Sequence, residues 1–181
     1  MAKIAIIIGS IREGRLGGTI AEWVYSYSQH REHTYSIIDL KEFALPLLTA
    51  PEPPISSGKR YSNAEVQRWS DAVDAVNAFI FITPEYNHSV PGAFKNAIDS
   101  LGMEWVRKPV ALVGYGYGGA SGAMQAWRQI FDSKLKLDAT EAEVNLDIST
   151  VIKDGKFAEN DDVNSILAEV LAELESKLPA R

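Results

Sequence analysis

Three polar loops, each following a short apolar segment, contain the residues whose types and spacing could do chemistry. The first loop, residues 9–18, reads Gly-Ser-Ile-Arg-Glu-Gly-Arg-Leu-Gly-Gly. It precedes a predicted helix, and a helix N-terminus favours an anion through its unpaired N–H groups and its dipole. Ser10 adds a hydroxyl donor, and Arg12 and Arg15 add planar guanidinium groups that match phosphate oxygens. The loop predicts a phosphate site; the alternative is a solvated turn whose arginines serve solubility.

The second loop, residues 83–92, reads Thr-Pro-Glu-Tyr-Asn-His-Ser-Val-Pro-Gly. Backbone groups held rigid by two prolines can recognise the edge of a planar heterocycle, and an aromatic ring can shelter its face. The alternative is a purely structural turn between a strand and a helix. His88 is a candidate acid or base, but no carboxylate has a spacing that ties it to this histidine.

The third loop, residues 114–122, contains five glycines and two tyrosines. Glycine lets the backbone approach a ligand closely, and Ser121 is placed to cap the following helix. Turn geometry alone is the alternative explanation for these glycines.

Several other chemistries are disfavoured by what the sequence lacks. It has neither GxxxxGK[ST] nor GxGxxG after the first apolar segment, which argues against nucleoside triphosphate hydrolysis and a Rossmann dinucleotide site. Cysteine is absent, which excludes disulfides, thiolate metal sites and a cysteine nucleophile. His30 and His33 fall around a predicted exposed turn, so we expect no metal site.

The segments that must position these loops show two patterns of apolar residues, which alternate along the chain. Apolar runs predict five strands, and residues at helical spacing between them predict helices. The predicted strands are 3–8, 34–40, 79–83, 110–114 and 137–144. The last helix is predicted from Val163 to Leu178, with Asp161 or Asp162 as its cap. This alternation indicates an α/β fold: a doubly wound five-stranded parallel sheet in three layers, with ligands beyond the carboxyl ends of the strands.

Length, charge and apolar content set the class of protein. The chain has 181 residues, 46% of them apolar, which suits one domain over residues 1–181. Its net charge is −6 and neither end carries a basic run, so nucleic acid is not an expected partner. The longest apolar runs have five residues, too short to span a membrane, and the first is too short and too weakly basic for a signal peptide. We expect a soluble cytoplasmic protein.

Four segments carry a resemblance to a known family over nearly the whole chain. They are Gly-Ser-Ile-Arg at 9–12, Thr-Pro-Glu-Tyr-Asn at 83–87, Lys-Asn-Ala-Ile-Asp at 95–99 and the glycine-rich loop. The chain resembles the NAD(P)H-dependent FMN reductases, whose flavodoxin-like family includes quinone, azo-dye and chromate reductases. The Pro-Glu-Tyr-Asn element is the most specific part of the resemblance.

The resemblance implies a role for each loop in binding FMN. The residues implied are Ser10, Arg12, Arg15, Leu16 and Gly17 for the phosphate, Pro84, Glu85, Tyr86 and Asn87 for the isoalloxazine ring, and Gly116, Tyr117 and Gly118 for its other side. Two departures from the family pattern bear on this assignment. Many members have a small polar residue where Arg15 stands, so phosphate recognition here leans more on arginine. The turn at 114–119 is also longer than in the commonest members.

The implied activity is hydride transfer from NAD(P)H through bound FMN to quinones or similar electron-poor acceptors such as azo dyes, chromate or free flavin. The chemistry belongs to flavin N5, so no side chain is assigned as catalytic. The single crevice, which the flavin already fills, predicts a ping-pong mechanism. Two alternatives remain: a reductase that passes reduced FMN to a partner oxygenase, and a flavodoxin-type electron carrier without NAD(P)H turnover.

The resemblance also implies a homodimer or homotetramer with the flavin near the subunit contact. In this chain, the helix after Pro91 and the aromatic ring of Trp105 are the predicted features that would complete a pocket across a two-fold axis. The other tryptophans, Trp23, Trp69 and Trp127, lie on apolar helical faces and are predicted to be core residues.

Overall fold

A computed structural model describes residues 1–153 and 156–179, and its centre is a parallel sheet. The strands are β1 (Lys3–Ile8), β2 (Thr34–Asp39), β3 (Ala78–Pro84), β4 (Pro109–Gly116), β5 (Asp138–Ala139) and β6 (Val144–Asp147). Their order is β2-β1-β3-β4, followed by an edge position that β5 and β6 share, since both pair with β4. The strand order reverses between β1 and β3, which opens the crevice expected of a doubly wound sheet.

Helices cover both faces of this sheet. They are α1 (Gly17–Ser28), α2 (Ala64–Asp74), α3 (Gly92–Asp99), α4 (Ser121–Phe131), the single turn α5 (Ile148–Val151) and α6 (Asp161–Ser176). A small antiparallel pair, β7 (Ile152–Lys153) and β8 (Lys156–Phe157), precedes α6. None of the described helices is long and apolar enough to cross a membrane.

The buried strands divide the core into two clusters because successive side chains of a strand point to opposite faces. Along β1, Ile4, Ile6 and Ile8 pack with residues of α1 and α6, whereas Ala5 and Ile7 pack with residues of α2, α3 and α4. β3 is buried at every position. A strand covered on both faces requires a continuous apolar run, which is why the sequence identifies β1, β3 and β4 so directly.

The predicted fifth strand, 137–144, is wrong as a continuous element. Its residues form β5, an interruption and the first residue of β6, and β6 continues to Asp147. The reason lies in α4, where the Arg128 guanidinium group donates to the carbonyl oxygens of Thr140 and Glu141 at 3.0 Å each and to the Glu143 carboxylate. These backbone carbonyl oxygens accept from a side chain instead of from the N–H groups of a neighbouring strand, so the strand is interrupted here.

Two predicted helix caps are also corrected. The side chain of Asn160 caps α6, accepting the N–H of Val163 at 3.0 Å, and Asp161 is already helical. Ser121 is the first helical residue of α4. Instead of capping the helix, its hydroxyl oxygen accepts a hydrogen bond from Asn145 Nδ2 at 3.0 Å. The groups that do bind the start of α4 come from other elements, as described below.

Trp105 does not face a subunit contact, contrary to the prediction. It is fully buried, its ring centroid is 5.0 Å from that of Phe79 and 5.9 Å from that of Trp69, and its indole N–H donates to the Ile98 carbonyl. The indole fills the core of one face of the sheet. Trp69 and Trp127 are fully buried and Trp23 nearly so, which confirms their prediction as core residues.

Candidate functional site

The order of β1, β3 and β4 brings the three predicted loops together at one edge of the sheet. These strands are neighbours and parallel, so the segments that leave their carboxyl ends are adjacent. The predicted site residues therefore share one crevice, at the point where the strand order reverses.

The first loop begins with a close approach of the backbone to an aromatic ring. A Cβ atom at Gly9 would lie 2.0 Å from the ring of Phe94, so only glycine fits there. The next residue, Ser10, is 1% exposed, and its hydroxyl lies 2.8 Å from that of Tyr86 in the second loop. The first two loops are thus joined at the base of the crevice.

The start of α1 offers free hydrogen-bond donors beside Ser10. Leu16 occupies the cap position, and no side chain among the described residues caps this helix. Gly17 follows in a tight environment, where an added Cβ would lie 3.0 Å from the hydroxyl oxygen of Tyr115. An uncapped N-terminus leaves backbone N–H groups and the positive end of the helix dipole available to an anion.

The two arginines of the first loop have different surroundings. Arg12 is exposed, and its guanidinium carbon lies 5.6 Å from the centre of the Tyr86 ring. Arg15 is mostly buried and forms an ion pair with Asp39 at the end of β2. Its Nη1 atom is enclosed and finds no hydrogen-bond partner within the described part of the chain. A buried donor of this kind fits an anionic ligand, because burial without a partner is unfavourable.

The second loop is a tight turn. Tyr86 and Ser89 exchange two backbone hydrogen bonds of 3.0 Å, and the residues between them, Asn87 and His88, have φ angles of 51° and 59°. Positive φ at both central positions is the geometry of a type I′ turn, which asparagine tolerates well. The turn holds Asn87 and His88 at an exposed tip above the crevice.

Glu85 directs its carboxylate away from that tip, toward α4. Oε2 accepts the backbone N–H of Ala123 at 3.1 Å, so Glu85 caps this helix from a neighbouring strand. Oε1 lies 3.2 Å from Nδ1 of His88, which overturns the expectation that no carboxylate is tied to this histidine. The type I′ turn brings these two side chains together.

The third loop is held by two side chains of β6. Gly118 donates its N–H to Asp147 Oδ1 at 3.0 Å, and Ala120 donates to Asn145 Oδ1 at 2.7 Å. Gly118 and Gly119 have φ angles of 73° and 93°, which favour glycine strongly. Beyond β4, Tyr117 is 87% exposed at the rim. The glycines therefore shape the turn, and β6 sets its position.

Tyr115 closes the base of the crevice between the first and third loops. Burial raises the pKa of its hydroxyl, the nearby Tyr86 raises it further, and Ser10 and Gly17 lower it by smaller amounts. The phenol therefore stays protonated and can donate a hydrogen bond. A neutral hydroxyl group near Ser10 can donate a hydrogen bond to an anionic group, whereas a carboxylate at the same position would repel it.

Sequence reasoning missed Asp39, Tyr115, Asn145 and Asp147 as parts of this site. Alternation provides a signal for two of them: in 144–147, Val144 and Leu146 are apolar, and the polar Asn145 and Asp147 fall on the other face. The pairing of Asp39 with Arg15 has no comparable signal in sequence. In residues 1–153 and 156–179, no group of three His, Cys, Asp or Glu side chains could hold a metal ion.

The fold places the protein in the flavodoxin-like class of α/β proteins, as solved structures show. FerB, a flavoenzyme NAD(P)H:(acceptor) oxidoreductase from Paracoccus denitrificans, matches with a TM-score of 0.73 at 21% identity, covering 99% of this chain and 100% of that one. A flavodoxin from Fusobacterium nucleatum, solved with flavin mononucleotide bound, matches with a TM-score of 0.57 at 14% identity, covering 99% and 100%. The predicted three-layer architecture is confirmed.

The sequence model of a family described as NADPH-dependent FMN reductase matches residues 2–149, and the chain belongs to that family. It is therefore an oxidoreductase of the FMN and NAD(P)H type, as the resemblance implied. The NAD(P)H-dependent FMN reductase ntnL of Nectria sp is 32% identical over 170 residues, 88% of this chain and 85% of its own length. A quinone reductase of Pseudomonas putida is 31% identical over 137 residues (70% and 68%), and an NADPH azoreductase of Bacillus sp. is 30% identical over 145 residues (77% and 79%).

Proposed function

We propose that this protein binds FMN in the crevice as a single flavodoxin-like domain and uses NAD(P)H to reduce quinones and similar electron-poor molecules. The observation that carries the proposal is the set of donors at the start of α1. Buried Ser10, exposed Arg12 and the enclosed Nη1 of Arg15 belong to the loop that leads into a helix N-terminus without a side-chain cap in the described residues. This donor set matches the terminal phosphate of FMN.

Each part of the first loop has a distinct task in holding the phosphate. Ser10 can donate its hydroxyl proton to a phosphate oxygen while still accepting from Tyr86. The Arg12 guanidinium group lies over the Tyr86 ring and forms no hydrogen bond or ion pair among the described residues, so it is free to form a bidentate pair. Leu16 and Gly17 contribute backbone N–H groups at the helix start.

The second and third loops provide the walls for the isoalloxazine ring. Pro84, Tyr86 and Asn87 form one wall, and the backbone of Gly116, Tyr117 and Gly118 forms the other. FMN supplies the two-electron chemistry when bound, and the protein orients it. Glu85 acts indirectly, since its carboxylate caps the start of α4 and lies 3.2 Å from Nδ1 of His88.

The openness of the crevice determines which acceptors fit. Asn87, His88 and Tyr117 are exposed at its rim, so the space above the ring is accessible to solvent. An open site over a flat ring selects planar, electron-poor molecules by stacking. The names of the quinone reductase and azoreductase relatives support this acceptor class. Chromate and free flavin are further candidates of the same redox type.

Steady-state turnover tests the activity. The FMN-loaded protein is mixed with NADPH and a benzoquinone, and NADPH oxidation is followed by absorbance. We expect many turnovers per protein molecule. Oxidation that stops after about one equivalent would contradict the proposal and indicate a flavodoxin-type electron carrier instead.

Comparison of FMN with riboflavin tests the phosphate site independently of turnover. The flavin-free chain is titrated with each compound and the change in flavin fluorescence gives Kd. Micromolar to nanomolar binding corresponds to about 8–12 kcal/mol, and we expect the phosphate contacts to supply much of it. Equal affinities for FMN and riboflavin would refute the phosphate site.

We also propose that the protein acts as a homodimer or homotetramer in the cytoplasm, where NAD(P)H is available. The family resemblance supports the assembly, and the exposed side chains of Leu47, Leu48 and Met103 provide apolar surface for a contact. Light scattering of the active protein at micromolar concentration measures its mass. A monomer with full activity would contradict the proposed assembly.

A further inference from the structure

Asp39, at the carboxyl end of β2, holds Arg15 from outside the three loops. Arg15 Nη2 donates to Asp39 Oδ2, and the two side chains are only 16% and 21% exposed. The other carboxylate oxygen, Oδ1, accepts the backbone N–H of Lys41 at 2.9 Å. The carboxylate is therefore fixed from two directions, and it fixes the guanidinium group in turn.

Arg15 is left with one donor that the protein does not use. Its Nη1 atom is the one buried side-chain nitrogen or oxygen in the described residues that lacks a hydrogen-bond partner. Leaving a charged donor buried and unpaired is costly, so an unsatisfied group of this kind indicates a missing acceptor. An ion pair that engages one side of the guanidinium group leaves Nη1 directed elsewhere, because the five N–H groups form a rigid planar fork.

Arg15 lies close to the base of the crevice. The Tyr115 hydroxyl is beside Gly17, at the start of α1. Burial raises the pKa of Tyr115, and the positive charge of Arg15 lowers it by a smaller amount. Arg15 directly precedes Leu16, the cap residue of α1, so the ion pair with Asp39 forms next to the helix start where the phosphate is predicted.

We propose that Asp39 is a positioning residue for the phosphate of FMN. It binds one side of the Arg15 guanidinium group and thereby directs Nη1 to a phosphate oxygen. Its negative charge also offsets that of Arg15, so that Arg12 and Arg15 can occupy one loop when no ligand is bound. This inference rests on the proposed function, and it gives Asp39 a role although Asp39 does not touch the flavin.

Two substitutions separate the carboxylate's charge from its hydrogen bond to Lys41. Asp39→Asn retains an oxygen that can accept the Lys41 N–H but removes the charge, whereas Asp39→Ala removes both. We expect Kd for FMN to rise about 10-fold or more in both variants, as for the loss of one hydrogen bond to a charged group. Kd for riboflavin should stay unchanged because riboflavin has no phosphate.

A double-mutant cycle distinguishes positioning from a general structural role. In the Arg15→Ala background, Asp39→Asn should cause no further loss of FMN affinity, because the donor that Asp39 orients is already absent. Asp132→Ala is the matched control: it removes the same charge from an exposed aspartate that pairs with Lys136 at 2.9 Å, and it should leave both affinities unchanged. Thermal unfolding by circular dichroism verifies that every variant is folded.

Three results would overturn the inference. Equal losses for FMN and riboflavin would show that Asp39 only maintains the fold, and additive losses in the cycle would show that it does not act through Arg15. Tighter FMN binding by Asp39→Asn would show that the carboxylate competes with the phosphate for Arg15. If the unsubstituted protein itself does not prefer FMN to riboflavin, the phosphate site of the proposed function fails and this inference fails with it.

Discussion

Arg12 and Arg15 carry the same charge in the same loop, but the structure gives them separate energetic roles. Arg12 is exposed and interacts with the Tyr86 ring, so it contributes little to the folded state and is available to a ligand. Arg15 pairs with Asp39, and its enclosed Nη1 atom has no hydrogen-bond partner among the described residues. We therefore expect that removal of Arg12 leaves the stability of the fold unchanged, whereas removal of Arg15 lowers it.

Replacing each arginine with alanine should reveal this difference. We expect Arg12→Ala to weaken FMN binding about 10- to 150-fold, the loss of one hydrogen bond to a charged group, with no change in the free energy of unfolding. Arg15→Ala should weaken FMN binding similarly and also destabilise the protein by roughly 1 kcal/mol, since it leaves Asp39 without its ion partner.

Calorimetric titration with FMN and urea denaturation measure these two effects. Arg60→Ala is the control, because it removes an exposed arginine from a different part of the surface. Unchanged FMN affinity in both first-loop variants would indicate that the loop is a solvated turn.

At the scale of elements, the glycine-rich turn depends on β6, the second half of the interrupted edge strand. Asp147 Oδ1 accepts from the Gly118 N–H, the Ser149 N–H and the Ser149 hydroxyl at 2.7–3.0 Å. These bonds, first that of the Ser149 hydroxyl, lower the pKa of Asp147. A lowered folded pKa means that the contact is complete above the ordinary aspartate pKa and is lost as the pH falls through the lowered value.

Removing this support should loosen one wall of the crevice. We expect Asp147→Ala to weaken FMN binding about 5-fold at pH 7, because one hydrogen bond to the turn is lost, and to affect riboflavin equally because the phosphate site is not involved. Fluorescence titration measures both affinities, with Asp132→Ala as the control for charge. A loss confined to FMN would contradict the assigned role.

Lys108, just before β4, provides a pH test at the opposite edge of the sheet. Its Nζ donates to the Val73 carbonyl at 2.9 Å and the Asp74 carbonyl at 3.3 Å, at the end of α2. Burial lowers the pKa of Lys108 to about 8 from its ordinary 10.5. The unfolded chain then binds more protons between these two values, so stability should rise with pH in that window.

The Lys108→Met variant isolates this effect. The quantity to compare is the free energy of unfolding of the unsubstituted protein minus that of the variant. This difference should be constant from about pH 6 to 7 and should increase as the pH rises through about 8 toward 10. Urea denaturation at several pH values measures it. A difference that does not depend on pH would show that Lys108 is not desolvated.

For the whole molecule, the strand order decides how two substrates share one site. The order reverses once, between β1 and β3, and the three loops converge there. We therefore predict that NAD(P)H and the acceptor occupy the same space in turn. We expect parallel double-reciprocal lines when NADPH and a benzoquinone are both varied.

The control for this kinetic pattern is a second acceptor. In a ping-pong mechanism kcat/KM for NADPH is independent of the acceptor, so it should be the same with a benzoquinone and with an azo dye. Intersecting lines, or a kcat/KM for NADPH that changes with the acceptor, would mean that both substrates bind together.

The sequence alone determined the layers of this protein and identified the loops in which we propose that its chemistry takes place. A strand covered by helices on both faces must be apolar throughout, so the runs in β1, β3 and β4 are visible without a structure. The loops that follow them are equally visible, because glycine, proline and arginine mark turns and anion sites by their own geometry and charge. The segment Pro-Glu-Tyr-Asn at 84–87 is the most specific part of the family resemblance.

Only the tertiary structure decided which groups support those loops. Arg15 meets Asp39 across 24 residues, Gly118 meets Asp147 across 29, and Glu85 meets the helix start at Ala123 across 38. Each contact depends on which strands are neighbours and in what register. The spacing of apolar residues along the sequence shows only which residues face the core, so it contains no information about strand order. The partner of a polar side chain on another element is therefore defined only when the sheet is assembled.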